Sequence, residues 1–207
     1  MRRLERLHGG DATSRSDRRP ALWLATQNLN KYNEAKAILD LYKIPLRHLK
    51  VAKTELQSSQ LEDVARYALQ QLSGYYGNRF VIVEDSGLFV RSLHGFPGSF
   101  SSHVSKTLGL EGVLQLMNNR RDRRAYFKAA IALAGPRTKT RVITGTVQGK
   151  IASSSRGTRG FGFDPIFIPN RAKFTFAEAS VELKNKYSHR ARALKKLAAW
   201  YIQEFVK

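Results

Sequence analysis

The sequence predicts a mixed α/β domain, with one twisted sheet, helices on its faces and a cleft. Three observations carry this. Short apolar runs of strand length, residues 21–25 and 80–83, alternate with stretches of helical period, residues 35–42 and 61–72. Two longer strand-like segments, 125–134 and 141–151, meet across Gly135-Pro136-Arg137-Thr138, a hairpin signal. The chain then closes on one long amphipathic helix, where Leu194, Leu197, Ala198, Tyr201, Ile202 and Phe205 recur every three to four residues. A length of 207 residues suits one domain, or two lobes sharing a core.

Residues 1–20 hold six arginines, with Leu4 and Leu7 the only large apolar residues after Met1. They read as a disordered basic extension, and 21–207 as the folded domain. The strand 21–25 leads into polar Thr26-Gln27-Asn28-Leu29-Asn30-Lys31, then into a helix marked by Ala35, Ile38, Leu39 and Tyr42 that ends before Pro45. Asn28 or Asn30 suits its N-cap. A loop feeding a helix N-terminus suits an anion, and Lys31 and Lys36 add charge; a plain strand–helix connection is the alternative. Residues 46–53 are a second strand of poor alternation. Ser59-x-x-Glu62 matches a capping box opening a helix that carries Leu61, Val64, Ala65, Ala68, Leu69 and Leu72 and closes at Gly74. Glu55 stands just ahead of that helix.

The centre of the chain is Phe80-Val-Ile-Val-Glu84-Asp85-Ser86-Gly87. Its apolar half reads as a strand buried on both faces, ending at two carboxylates. Open α/β sheets place ligands at strand ends, so an acidic pair there points to a metal or a general base. An acidic turn between two hairpin strands is the competing reading. Beyond it, residues 94–98 are turn chemistry and 99–118 two short helices broken at Gly109. Residues 120–124 are a charge run, read as a solvated face. Residues 153–162 form a loop rich in Ser, Gly and Arg. Phe161-Gly162-Phe163-Asp164-Pro165 puts aromatics and an acid on a turn, and Ser188 suits the N-cap of the last helix.

With no cysteine, disulfides, thiolate metal sites and cysteine nucleophiles are excluded. No apolar run approaches the ~18–20 residues that span a bilayer. The Arg-rich start has no apolar core of a secretory signal, so the cytoplasm is the expected compartment. Net charge is +20, from 36 Lys and Arg against 16 Asp and Glu. Such a field attracts polyanions. One reading is therefore a nucleic-acid-binding module using Arg120–Arg124 and the aromatic loop 160–167. Against it, Glu55, Glu84 and Asp85 repel phosphate unless a cation intervenes.

Four stretches together resemble one family. They are Ala25-Thr-Gln-Asn-Leu-Asn-Lys31; Glu84-Asp-Ser-Gly-Leu88 with Gly95-Phe-Pro-Gly98; Gly160-Phe-Gly-Phe-Asp-Pro-Ile-Phe167; and Phe176-Ala-Glu through Lys184-Asn to Ser188-His-Arg190. In order and spacing they resemble the inosine/xanthosine triphosphate pyrophosphatases, and Thr54-Glu-Leu-Gln57 with Leu61-Glu-Asp-Val-Ala-Arg66 is similar to the archaeal and eukaryotic branch. The resemblance implies two lobes about a central cleft, a homodimer, and hydrolysis of ITP, dITP or XTP to the monophosphate and pyrophosphate with Mg²⁺. It implies that Glu55, Asp85 and Glu84 hold the metal, with Asp85 orienting or deprotonating water. Thr26, Asn28, Lys31, Arg66, Ser86, Gly87 and Lys184 are implied to hold phosphates. Phe161, with Gly162 and Phe163, is implied to stack on the base, Asp164 to make a polar contact, and His189 and Arg190 to read the base.

Composition generates one prediction. Deleting residues 1–20 is expected to leave melting temperature and activity unchanged, since the segment has little to bury. A fall of several degrees in a thermal melt of the truncated protein would show that the segment packs on the domain.

Overall fold

The computed structural model describes residues 20–52 and 56–205. Glu55 and the extension up to residue 19 lie outside the described residues. The architecture is the expected mixed sheet flanked by helices. Among the described residues, seven strands run in the order β2 (Leu46–Leu49), β1 (Leu22–Ala25), β3 (Phe80–Val90), β5 (Arg124–Gly135), β6 (Thr138–Ile151) and β7 (Phe167–Pro169), with the short β4 (Pro97–Gly98) beside β3. The strands β2, β1 and β3 are parallel, because helical crossovers join them. From β3 onward the pairing is antiparallel, as the hairpin signal requires.

The central stretch departs from expectation. The two carboxylates neither end a strand nor make a hairpin turn. β3 continues through them for 11 residues, paired with β5 from Val81↔Ala134 to Val90↔Ala125. The neighbour that stops is β1, whose last pair is Ala25↔Val83. β4 takes over only at Leu88↔Gly98. Residues 84–87 are therefore a stretch of strand held on one side and open on the other. The polar residues look like a strand end in sequence because their ladder comes from β5, more than 40 residues away.

Successive strand residues face opposite sides. Glu84 shares the face of Ile82 and Leu24, covered by α1 (Leu29–Asp40) and α6 (His189–Phe205). Asp85 shares the face of Val81 and Val83, covered by α2 (Leu61–Gln70). A third core, with Leu88, Val104, Val113, Phe127, Phe163 and Phe167, joins the far half of the long strands to α3 (Ser101–Thr107) and α4 (Gly109–Leu116). The lobes thus share β3, β5 and β6, and the cleft opens where β1 ends.

Local signals were partly overridden. Asn28 caps α1, its Oδ1 accepting from the N–H groups of Asn30 and Lys31 at 2.9 and 3.2 Å. The Ser59–Glu62 capping box does not form: α2 starts after Gln60 without a side-chain cap, and Glu62 pairs with Lys128 at 2.6 Å. An ammonium across the sheet is a stronger partner than a backbone N–H. The helix stops at Gln70, and Gly74 lies in a separate 3₁₀ turn, Ser73–Tyr75. The stretch before the last helix is itself a helix, α5 (Val181–Tyr187), and Ser188 makes the break, its Oγ accepting from Ala191 N–H at 3.1 Å. The Arg120–Arg124 run is only partly a free basic face, with Arg120 and Arg121 exposed. Arg123 donates to the carbonyls of Met117, Ile151 and Ala152, and Arg124 pairs with Asp122 at 2.8 Å.

Gly145 on β6 sets how closely α6 approaches. A Cβ there would lie 2.2 Å from the His189 carbonyl oxygen and 2.4 Å from the Ala193 nitrogen, both backbone atoms that side-chain rotation cannot move. Gly145→Ala is expected to push the helix start outward and destabilise by about 1–3 kcal/mol, a loss of several degrees in a thermal melt. An unchanged melting temperature would mean that α6 has slack at this point.

Candidate active site

The cleft between the lobes has a volume of about 490 Å³. One wall carries Thr26, Gln27, Asn28 and Lys31 from the start of α1, with Asp85 and Ser86 from the open stretch of β3. The other carries Ser101, Ser102, Ser105 and Lys106 of α3. The floor is Phe127, residues 161–164, Lys184, His189 and Arg190. Each wall is built from local chemistry. Thr26 Oγ1 accepts from Asn28 N–H at 3.1 Å, and the Asn28 carboxamide then caps the helix, which turns Lys31 back over the end of β1. Two N–H groups at this helix start are thereby already satisfied, leaving the dipole and Lys31 as its attraction for anions.

The charged groups form one continuous chain of alternating sign. Lys31 Nζ lies 3.9 Å from Asp85 Oδ1 and 2.9 Å from Glu84 Oε2. The Glu84 contact is an ion pair more than a directed hydrogen bond, since this buried oxygen accepts none of good geometry. Glu84 Oε1 accepts from Arg190 Nη2 at 3.1 Å, and the same nitrogen donates to Ser86 Oγ at 3.2 Å. Arg190 Nη1 donates to Glu34, whose other oxygen accepts from Lys184 at 2.7 Å. Lys184 also donates to Asp164 at 2.6 Å, and Asp164 accepts the Phe161 N–H at 2.9 Å. The chain thus runs Asp85, Lys31, Glu84, Arg190, Glu34, Lys184, Asp164.

Burial dictates this order. Arg190 is 1% exposed, and Glu34, Glu84, Asp164 and Lys184 are 3–4% exposed, so each charge requires an opposite neighbour. Burial alone would raise the Glu84 carboxyl, but the Arg190 guanidinium and then Lys31 outweigh it and hold Glu84 well below the usual carboxylate range. Glu34 is likewise lowered: Arg190 and Lys184 overcome its burial. Asp164 goes the other way, because burial exceeds what Lys184 returns and Glu34 adds repulsion. His189 falls well below its ordinary value, from burial and then the adjacent Arg190, and is neutral. Its ring stacks on Phe127 with centroids 4.7 Å apart and planes at 11°. The Phe161 ring lies 5.0 Å from the Lys184 ammonium and 5.4 Å from the Arg190 guanidinium. One end of the cleft is therefore flat and aromatic, and the other polar and open.

Of the residues singled out from sequence, Thr26, Asn28, Lys31, Asp85, Ser86, Phe161, Gly162, Phe163, Asp164, Lys184, His189 and Arg190 line this one cleft. Three stand elsewhere. Glu84 lies beneath the wall. Arg66 is exposed on α2 and does not line the cleft. Gly87 is needed for packing, since a Cβ there would sit 2.1 Å from the Gly98 carbonyl oxygen. Glu55 is outside the described residues. Sequence reasoning missed Glu34, whose signal was a carboxylate on the apolar stripe of α1, one turn before Ile38. It also missed Phe127, hidden in a strand pattern, and the polar face of α3, which carried no signal.

Among the described residues, no three carboxylate or imidazole groups converge on one point. Asp85 on the wall, with Ser86 beside it, is an all-oxygen donor set of low count. That suits a hard cation such as Mg²⁺, which takes one or two carboxylates and completes its shell with water and phosphate oxygens. It does not suit zinc or another cation that needs imidazole or thiolate.

A model of the Ham1 family matches residues 22–200. Among curated relatives, the dITP/XTP pyrophosphatase of Hyperthermus butylicus is 48% identical over 181 residues, 87% of this chain and 94% of that protein. That of Methanopyrus kandleri is 45% identical over 177 residues, 86% of this chain and 94% of the relative. Among solved structures, the Staphylococcus aureus Ham1 protein superposes with a TM-score of 0.76 at 32% identity, covering 89% of this chain and 99% of its own.

The buried charges generate a prediction about acid stability. His189 resists protonation in the fold, whereas the unfolded imidazole takes a proton near its ordinary value of 6.5, so stability is lost as pH falls below about 6.5. The lowered Glu34 contributes stability that is present above its ordinary value of 4.5 and is lost as pH falls through its folded value. Melting temperature is expected to drop in two limbs, the first below about pH 6.5 and the second below about pH 4.5, and His189→Gln to flatten the first while keeping the second. An upper limb of the same slope in the variant would refute the buried neutral imidazole.

Proposed function

The chain belongs to the Ham1 family, and from that premise we propose that it hydrolyses non-standard purine nucleoside triphosphates, dITP, XTP and ITP, to the monophosphate and pyrophosphate. Such a hydrolase cleanses the nucleotide pool. The relatives that carry the name dITP/XTP pyrophosphatase support the substrate class. The observation that carries the site is the charge chain that joins Asp85, on the polar wall, to Asp164 beneath the Phe161 ring. It links a place suited to phosphate with a place suited to a purine.

In this reading Asp85 is the catalytic carboxylate. Its side chain is 21% exposed, so it meets both solvent and ligand, and it orients or deprotonates the attacking water. Asp85, with Glu55, would hold Mg²⁺, which supplies charge neutralisation on the phosphate oxygens. Glu84 acts through Lys31 and Arg190, which hold its two oxygens. Lys31 and the α1 N-terminus attract the phosphates, with Thr26, Asn28 and Ser86 beside them. The base stacks on Phe161. Neutral His189 and charged Arg190 lie where donors meet a 6-oxo group, and adenine, with an amino group there, leaves donor facing donor. The active unit is taken to be a homodimer on the resemblance, and its compartment the cytoplasm on composition; no helix among the described residues is long and apolar enough to cross a membrane.

A nucleic-acid-binding function has no support among the relatives, and two of the arginines that suggested it, Arg123 and Arg124, are engaged at backbone carbonyls and at Asp122. The test is pyrophosphate release from XTP, dITP, ITP and ATP, with Mg²⁺ and with chelator. Rapid release from XTP and dITP, slow release from ATP and loss with chelator are expected. Asp85→Asn should lower turnover on the order of 10³-fold or more while the melting temperature holds. Turnover near wild type in that variant would remove Asp85 from its role, and equal rates for XTP and ATP would remove the proposed selectivity.

A further inference from the structure

We infer that Lys106 is a substrate-binding residue that holds the pyrophosphate portion of the triphosphate at the mouth of the cleft, from the lobe opposite Lys31. The inference rests on the hydrolase reading above and extends it to a residue that reading does not use. Four described cations line the cleft: Lys31, Lys106, Lys184 and Arg190. Three of them are held by carboxylates within 4 Å, in the chain already described. The Lys106 ammonium has no ion-pair or hydrogen-bond partner among the described residues.

The charge count makes this consequential. In and beneath the cleft, the carboxylates of Glu34, Glu84, Asp85 and Asp164 outnumber the three engaged cations. Among the described residues, the interior therefore holds no surplus positive charge for a triphosphate tail, which is multiply negative at neutral pH. A cation held at Asp85 would supply part of the missing charge. Lys106 is the protein's own contribution among the described residues.

Position assigns the part of the substrate. Exposure rises outward through the cations, from 1% for the Arg190 side chain and 4% for Lys184 to 15% for Lys31. Lys106 is exposed, at the rim. The Phe161 ring proposed to stack on the base is half-buried and lies beside the two most buried cations, Lys184 and Arg190, so the chain of phosphates runs outward from there and its last two meet the rim. The helix that carries Lys106 is rigidly placed. Ser101 Oγ accepts from Leu88 N–H at 2.8 Å and donates to the Gly98 carbonyl at 2.7 Å, which pins α3 to β3 three residues beyond Asp85. Val104 is buried in the second lobe, while Ser102, Ser105 and Lys106, at helical spacing, share the cleft face.

The experiment compares wild type, Lys106→Ala and Lys106→Arg by steady-state kinetics on XTP, dITP and ATP with Mg²⁺, and by product inhibition with inorganic pyrophosphate and with XMP. One charged hydrogen bond to phosphate is worth about tenfold, so Lys106→Ala should raise KM for XTP and dITP alike by about that factor. It should weaken inhibition by pyrophosphate by about the same factor, leave inhibition by XMP within about twofold, and keep the preference for XTP over ATP. Lys106→Arg should retain most of the affinity, and both variants should melt with the wild type because the side chain is exposed. Unchanged KM and unchanged pyrophosphate inhibition would overturn the inference. So would an effect confined to one base, or an equal loss for XMP. A wild-type protein that releases no pyrophosphate from any nucleotide would instead sink the hydrolase reading itself.

Discussion

Arg190 is the charge on which the arrangement depends. A guanidinium at 1% exposure is tolerable only when its donors meet carboxylates, and here they meet Glu34 from α1 and Glu84 from β3. Those carboxylates are buried in turn and need second cations, which Lys184 and Lys31 provide. Three elements distant in sequence are thereby tied at one point: the start of α1, the middle of β3 and the start of α6. Losing one member would leave a buried charge uncompensated, at a cost of about 3–5 kcal/mol. Apolar replacement would be the cheaper core. The charges instead fix the side chains around the cleft in one geometry.

That chain requires an opening in the sheet. If β1 were four residues longer, its backbone would pair with residues 84–87 of β3 and Lys31 could not reach Glu84 and Asp85 over the strand end. The sequence Thr26-Gln27-Asn28 stops β1 by turning it into the capped start of α1. The strand β3 does not fray where β1 leaves it, since β5 supplies an unbroken ladder on the other side. A rigid strand with one open edge can present Asp85 and Ser86 to a ligand without the disorder of a loop. The alternation of the strand then divides the acidic pair, with Glu84 turned into the interior and Asp85 toward the cleft.

The balance of charge also bears on how a polyanion binds. The formal +20 of the whole chain gives long-range attraction, but among the described residues the inner cations of the cleft, Lys31, Lys184 and Arg190, are already paired with carboxylates. Binding a triphosphate there requires added positive charge close at hand. Asp85 offers the cleft a partly exposed carboxylate, and the exposed face of α3 offers an ammonium at the rim. Net charge alone suggested nucleic acid, and it misleads because Arg123 and Arg124, prominent in sequence, are engaged within the fold.

Much was legible without coordinates. The alternation of strand and helix signals, the hairpin at 135–138, the Asn28 cap and the Ser188 cap depend on near neighbours, and local chemistry decides them. The cleft-lining residues carried by the four motifs were legible for the same reason, since each motif is contiguous. Other features needed the tertiary structure. Glu62 abandons its capping box because Lys128 lies across the sheet, and residues 84–87 stay in strand because β5 does. Glu34 reads as one more helix carboxylate until α6 brings Arg190 against it, 156 positions away in the chain. Sequence by itself marked out most of the charged and aromatic residues that line the cleft. Only the fold decided which of those charges are already neutralised, because ion pairing in a low-dielectric interior is a property of distance in space, not along the chain.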